Sequence, residues 1–466
     1  MGFGFRKSDT LTKRPSWRDY QSRLQQPDLR KRKLRWWVLA AASLVGVGLL
    51  YVGVSALIPT AHRGIDALRP ATVGASDMAG DSANKSEASH GRLEAQTLLG
   101  KSLEGNLTVK EMQVNVADRH FKVVTTLDTN LQEKLTAGLD RKNSRYVAIV
   151  VMDPGNGRVL AMVGFDKANP QSNLCLRSIF PAASIFKIVT AAAAVETCGF
   201  RADTRLHFRG YKHTLYKSQL NEKIDRWSTE VEFADSFAQS INSVFGSIGI
   251  HRLGKDTLQR YAQAFAFNQP IAFELPVEPS RIAIDAEPYH LAEIASGFNN
   301  DTTLSPLHGA MIAAAILNEG RMIAPTIVER VSDGEGKLLY APREQWQSKA
   351  ISPQTAATMA RLMETTVESG TARRTFRGSS KVPALAHLDI GGKTGSISSR
   401  DNEVRFDWFV GFAKDRTGSG RLALAVVVGH EKYIGIKSTQ YARMAFTQYF
   451  NPQADPGAKN TRGHRG

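Results

Sequence analysis

Hydrophobic and polar positions change period along the chain, and the changes mark its elements. Phe121–Leu127 reads as a short strand and Asn130–Leu139 as an amphipathic helix. Tyr146–Met152 is a β-prone apolar run. Asp153-Pro154-Gly155-Asn156-Gly157 is turn chemistry, and Arg158–Val163 is a second strand, so the three predict a hairpin. The same pattern returns late in the chain as strand Asp407–Ala413, a turn over 414–420, and strand Leu422–Gly429. Between Ser184 and Gly320 the period is mainly helical, and Lys437–Phe450 reads as a closing helix. Strands at both ends with helices between them imply the α+β class. The two strand sets would form one antiparallel sheet with packed helices, and a helical lobe would lie against it. A cleft between sheet and lobe is the natural place for a site.

Ahead of this domain the pattern is different. Trp36–Ile58 holds 23 residues without a charge. A helix of that length spans roughly 35 Å, more than the ~30 Å hydrocarbon core of a bilayer. Trp36, Trp37 and Tyr51 stand near its ends, and Arg30, Lys31, Arg32, Lys33 and Arg35 precede it. Such a cluster stays on the cytoplasmic side. The expectation is a basic cytoplasmic arm (1–35) and one transmembrane helix (36–58) in the cell (inner) membrane, with the rest periplasmic or extracellular. A cleaved signal peptide fits less well, because the apolar core is too long, the basic start too extended, and no Ala-x-Ala site follows. Residues 59–118 read as a flexible spacer with some helix near Arg92–Leu99. Residues 119–450 form the ordered domain, and 451–466 a polar, disordered tail.

Composition adds three limits. The 466 residues suggest two or three units, and 42% apolar content is enough for a large core. The net charge is +16, but residues 1–35 alone carry eleven Lys or Arg against three Asp. The basic excess is therefore gathered beside the apolar run. A nucleic-acid binder would instead carry a basic face on its folded domain. Cys175 and Cys198 are the only cysteines. They form either a disulfide or two separate buried thiols. No His/Cys/Asp spacing suggests a metal. Trp408 on its β-prone run reads as core, and Gly155 and Gly157 as turn residues rather than a phosphate loop.

The candidate chemistry starts at Pro181–Glu196, a helix apolar almost all round and therefore buried. Ser184 and Lys187 lie three apart on one face of it. Burial disfavours the ammonium, and an uncharged lysine amine beside a hydroxyl is a general base beside a nucleophile. The helix start also offers unpaired backbone N–H groups to a developing oxyanion. The spacing alone is weak, since Ser82 and Lys85 repeat it in the spacer. Two more segments strengthen it. Ser240-Ile241-Asn242 falls at a turn or helix end in the helical lobe. Gly391-Gly392-Lys393-Thr394-Gly395-Ser396 falls on a strand. There glycines would let a substrate backbone approach, Lys393 would supply a fixed positive charge, and Thr394 and Ser396 would supply hydroxyls.

Ser-x-x-Lys, Ser-x-Asn and Lys-Thr-Gly, in that order, resemble the motif set of penicillin-binding proteins and serine β-lactamases. Thr125–Gln132, Val151–Pro154 with Leu160–Met162, Gly370–Ala372 and Asp407–Gly411 also resemble penicillin-binding transpeptidase domains. The resemblance covers about residues 120–450. It implies that Ser184 attacks a peptide carbonyl and becomes acylated, with Lys187 taking its proton. Ser240 would relay a proton to the leaving amine and Asn242 would bond the donor peptide amide. Lys393, Thr394 and Ser396 would hold the substrate carboxylate. The backbone N–H groups of Ser184 and Ser396 would form the oxyanion hole. The implied donor is a peptidoglycan stem ending in D-Ala-D-Ala, and β-lactam antibiotics would be covalent inhibitors. No cofactor is implied. Glycan polymerisation would come from a membrane glycosyltransferase or other wall-synthesis partner, since residues 60–118 hold no such domain. Ala183 stands where many relatives have Gly, a small change that leaves the helix start intact. A D,D-carboxypeptidase would use the same acyl-enzyme with water as acceptor. A β-lactamase fits less well: no Glu-x-x-Leu-Asn segment lies between Ser240 and Lys393, and Asn242 stands where class D enzymes have Val. A non-catalytic β-lactam sensor or scaffold is the remaining class.

Overall fold

The computed structural model describes residues 92, 95–100, 107–116, 118–418 and 420–451. The proposed arm and span at 1–58, most of the spacer, and the tail from 452 lie outside these residues. Among the described residues no helix is long and apolar enough to cross a membrane.

In chain order, β1 (Glu111–Val116), β2 (Arg119–Thr125), α1 (Thr129–Ala137), β3 (Ser144–Met152) and β4 (Val159–Asp166) come first. The helical lobe follows with α2 (Lys187–Cys198), the hairpin β5 (Arg205–Arg209) and β6 (Ser228–Glu232), then α3 (Phe233–Ala238), α4 (Asn242–Ile248), α5 (Gly254–Ala264) and α6 (Pro288–Ser296). The chain then returns through α7 (Pro306–Leu317), β7 (Val328–Asp333), β8 (Leu338–Tyr340) and α8 (Pro353–Glu368). It closes with β9 (Leu388–Ser398), β10 (Arg405–Asp415), β11 (Arg421–His430) and α9 (Ser438–Tyr449).

The two strand sets do meet in one five-stranded antiparallel sheet, in the order β9-β10-β11-β3-β4. Alternate residues of each strand feed two different cores. Ala148, Val150 and Met152 join α7 on one face, with Val410, Ala425 and Val427 beside them. Val147, Ile149 and Val151 join α1 and α9 on the other, with Leu424, Val426 and Val428. Both faces are covered, so the strands read as unbroken apolar runs rather than as alternation. Gly309 of α7 lets that helix sit close, since a Cβ there would lie 2.9 Å from Ala425 Cβ.

Two glycines of β9 serve the sheet itself. A Cβ on Gly391 would lie 2.4 Å from the Phe412 ring, and one on Gly392 would lie 2.3 Å from the Phe409 ring. Both rings belong to β10, and they take the space that side chains at these two positions would fill. A Cβ on Gly395 would lie 3.3 Å from Ile185 and from Trp408 and 3.4 Å from Ala183, so this glycine eases the packing of β9 against the segment around Ser184.

Order begins earlier than the expected boundary. β1 falls inside the proposed spacer, yet it pairs along its whole length with β2 in a four-stranded sheet, β1-β2-β7-β8. The helix expected near Arg92–Leu99 is present at 92 and 95–100. Arg92 is 1% exposed and donates to the carbonyls of Pro325 (2.9 Å), Arg343 (3.1 Å) and Ala272 (3.5 Å). These segments show little hydrophobic periodicity; backbone pairing, one guanidinium and the burial of Leu99, Leu107 and Val114 in the main core hold them. The cysteines are not bridged: Cys175 is buried, its thiol pushed up to about 12 by burial, and Cys198 is half-buried.

Trp408 is fully buried, as expected, and its Nε1 donates to Pro181 O at 2.8 Å. It also meets Phe180 edge to face. It therefore fastens β10 to the segment that leads into Ser184. Trp408→Ala should cost about 3–5 kcal/mol in urea unfolding; a loss below about 1 kcal/mol would contradict this packing.

Candidate active site

The segment before α2 is not a regular helix start. Ala183–Phe186 is a tighter 3₁₀ turn, and Ala183 lies in the left-handed region at φ +48°. The turn is tied down by Ala182 N donating to Thr302 O (2.8 Å). Ser184 is half-buried at the cleft, and one turn on, Lys187 is fully buried.

Lys187 Nζ has three neighbours. Ser184 Oγ lies at 2.9 Å, Asn242 Oδ1 at 2.8 Å and the Ser296 carbonyl at 2.5 Å. Two of these are pure acceptors. An uncharged amine has two hydrogens and one lone pair. With its hydrogens on Asn242 and Ser296, its lone pair is left for the Ser184 hydroxyl. The ammonium is disfavoured first by burial and then by the charge of Lys393, which hold Lys187 well below the ordinary lysine value. Asn242 is oriented in turn, because its Nδ2 donates to His213 O (3.0 Å) and its N to Lys212 O (2.7 Å).

The second serine stands in a comparable setting. Ser240 lies between α3 and α4, also left-handed at φ +57°. Lys393 Nζ donates to Ser240 Oγ (2.9 Å) and to Thr394 O (3.0 Å). Lys393 is as fully buried as Lys187, and burial lowers it to about 7. The fixed positive charge expected there is therefore a titrating one. The rings of Phe245 and Phe237 lie 5.5 Å from Lys187 Nζ and Lys393 Nζ, offering each ammonium a partial replacement for water. Thr394 is half-buried and Ser396 exposed on β9, the edge strand of the sheet. An edge strand keeps one row of backbone donors and acceptors for an incoming chain. Among the described residues no group of three or more His, Cys, Asp or Glu side chains could hold a metal ion.

Six of the seven residues singled out in the sequence thus fall into two contact groups, and Ser396 lies two residues beyond Thr394 on β9. Ser184, Lys187 and Asn242 are in direct contact, as are Ser240, Lys393 and Thr394. Residues 147–447 match the model of the penicillin-binding protein transpeptidase domain. The chain belongs to that family. It is similar to the peptidoglycan D,D-transpeptidase PbpA of Mycolicibacterium smegmatis, at 27% identity over 60% of this chain and 61% of the relative. It is also similar to penicillin-binding protein 3 of Bacillus subtilis, at 24% identity over 62% of this chain and 45% of the relative. The match thus spans only part of either relative's length. Penicillin-binding protein A of M. tuberculosis, solved as a ceftriaxone acyl-enzyme complex, shares the fold. Its TM-score is 0.57 at 22% identity, over 71% of this chain and 80% of that one.

Within this transpeptidase domain, several site features carried no sequence signal. The Ser296 carbonyl at the end of α6 is one. His213 is another: its ring bonds the Ser240 carbonyl, and burial followed by the Lys187 charge lowers its pKa. Ala183 is a third. The change from Gly is not small, because an L-residue occupies a left-handed position where Gly is least strained. The turn is accommodated by Gly297, where a Cβ would lie 1.8 Å from Ala183 O.

The lowered value of Lys393 has a consequence for stability. Between about 7 and the ordinary 10.5 the unfolded chain binds the extra proton. Stability should therefore climb as pH rises through that window. Lys393→Met should be the more stable protein at pH 7 and show a shallower climb in urea unfolding at pH 7, 8 and 9. Equal slopes in the two proteins would contradict the burial argument.

Proposed function

We propose that the domain is a peptidoglycan D,D-transpeptidase working through an acyl-enzyme on Ser184. One observation carries this: the fully buried Lys187 Nζ lies 2.9 Å from Ser184 Oγ, with the acceptors Asn242 Oδ1 and Ser296 O at 2.8 and 2.5 Å, so that once uncharged it can donate its hydrogens to those two and turn its lone pair to the hydroxyl. Lys187 takes the hydroxyl proton as Ser184 Oγ bonds to the carbonyl carbon between the two terminal D-alanines. Charge collecting on the carbonyl oxygen meets the backbone N–H groups of Ser184 and Ser396. The C–N bond then breaks, and the leaving amine takes a proton from Ser240. Lys393, touching that hydroxyl, replaces the proton. Asn242 guides the donor amide, while Thr394, Ser396 and Lys393 receive the terminal carboxylate. An amine from a neighbouring stem then attacks the acyl carbon and gives its proton through Ser240 back to Lys393, while the ester C–O bond breaks and Lys187 returns its proton to Ser184 Oγ, which completes the cross-link.

The relatives support this chemistry. Penicillin-binding protein A of M. tuberculosis is seen as ceftriaxone, imipenem and penicillin G acyl-enzymes. A β-lactam would trap Ser184 here in the same way. In the same proposal, residues 36–58 anchor the domain outside the cell membrane with residues 1–35 in the cytoplasm, and a membrane glycosyltransferase or similar wall-synthesis partner supplies the glycan.

Labelling with a fluorescent penicillin tests the acyl-enzyme. The parent should label strongly and Ser184→Ala not at all, while Lys187→Ala should label about 10²–10⁴-fold more slowly. Undiminished labelling of Ser184→Ala would end the proposal. With stem peptides, cross-linked dimer supports transpeptidation, whereas free D-Ala without dimer would make the protein a carboxypeptidase.

A further inference from the structure

A hydroxyl outside the three motifs reaches the catalytic cleft. Thr371 follows the C-terminus of α8 and is exposed. Its Oγ1 lies 2.5 Å from Thr394 Oγ1 and 3.2 Å from the Ala238 carbonyl. Its backbone N also donates to Ala238 O, at 3.1 Å. Gly370 permits the approach, since a Cβ there would lie 2.4 Å from that same carbonyl oxygen. Ala238 ends α3, two residues before Ser240, and Thr394 follows Lys393 on β9. Thr371 therefore closes a ring of contacts running Ala238, Ser240, Lys393, Thr394, Thr371 and back.

The hydroxyl hydrogens in this ring can be counted. Thr371 and Thr394 have one each. If Thr371 donates to Ala238 O, then Thr394 must donate to Thr371, and Thr394 turns only lone pairs towards the cleft. That arrangement repels a carboxylate. If Thr371 donates to Thr394, the Thr394 hydrogen is free for the cleft. The second arrangement costs little, because Ala238 O keeps the Thr371 backbone N–H. Each hydroxyl in such a chain polarises the next, which strengthens the terminal bond to an anion.

We propose that Thr371 is a specificity-determining residue for the donor's terminal carboxylate: its hydroxyl turns the Thr394 hydrogen into the cleft. The proposal rests on the assignment of Thr394 to carboxylate binding under the proposed function. It deepens that assignment by naming what orients Thr394. Binding of the anion selects one of two hydroxyl arrangements, and an uncharged substrate end has no such preference.

The test uses a thioester mimic of the acyl-D-Ala-D-Ala end, once as the free acid and once as its methyl ester. Thiol release reports acylation of the parent, Thr371→Val and Thr371→Ser. Valine keeps the shape and deletes the hydroxyl; serine keeps the hydroxyl. The parent should prefer the acid. Thr371→Val should lose about tenfold on the acid, the scale of one hydrogen bond to a charged group, and stay within about twofold of the parent on the ester. Thr371→Ser should recover most of the loss. An unchanged acid-to-ester ratio in Thr371→Val would overturn the proposal, as would equal losses on acid and ester, which mark a merely structural role. A parent acylated equally by acid and ester overturns it too. A parent acylated by neither compound contradicts the Ser184 chemistry itself.

Discussion

Two fully buried lysines stand at the centre of the site, and burial disfavours charge on both of them. Lys187 and Lys393 are each fully buried, and neither has an acidic partner among its hydrogen-bonded neighbours. Burial is the main reason both values fall, and the charge of Lys393 pushes Lys187 down further. A carboxylate in contact would undo this by stabilising the ammonium. The neighbours provided instead are two backbone carbonyls, an amide oxygen, two hydroxyls and two aromatic rings. They satisfy the nitrogens without fixing the charge. One amine can then hold a proton while the other is free to take one.

Holding two amines dry is a task for the whole fold. The groups around them come from α2, the turn between α3 and α4, the end of α6, and the edge strand β9. The sheet supplies the rigid side: its two faces are filled by separate cores, so β9 is positioned by β10 and β10 by β11. Trp408 carries that rigidity across to the nucleophile turn through Pro181. Gly391 and Gly392 belong to this support, giving space to Phe412 and Phe409 so that β9 lies flat on its neighbour.

What could be read from the sequence follows the length and strength of each signal. The hairpins were legible because strands buried on both faces are long apolar runs bounded by turn residues. The candidate site residues stood out because three short motifs follow one another in a fixed order, the Ser184–Lys187 spacing being weak by itself. β1 was not, since its six residues leave only Val114 buried and its order comes from pairing with β2. Thr371 was visible only as part of Gly370–Ala372. Its contact with Thr394 spans 23 positions and depends on how α8 ends. The packing reason for Gly391 and Gly392 was not legible for a related reason: the rings that need their space sit on the partner strand, which only the sheet register reveals.

The backbone at Ser184 and Ser240 completes the picture. Ala183, next to Ser184, and Ser240 itself have left-handed φ values, a state that costs an ordinary L-residue roughly 1–2 kcal/mol. Such strain persists only where surrounding contacts over-determine the conformation. Those contacts are on hand: Thr302 O and Gly297 hold the first turn, while Phe237 O and Lys212 O hold the second. Several of the holding segments also enclose the lysines, since Gly297 adjoins the Ser296 carbonyl bound by Lys187, and Lys212 adjoins the His213 carbonyl that orients Asn242. Backbone strain and lysine desolvation therefore have a common origin in the same close packing. Relaxing either turn would move its hydroxyl off its lysine and open that lysine to water. The ammonium would then be stabilised, so the short contact between Ser184 and a desolvated Lys187 depends on the fold tolerating both costs together.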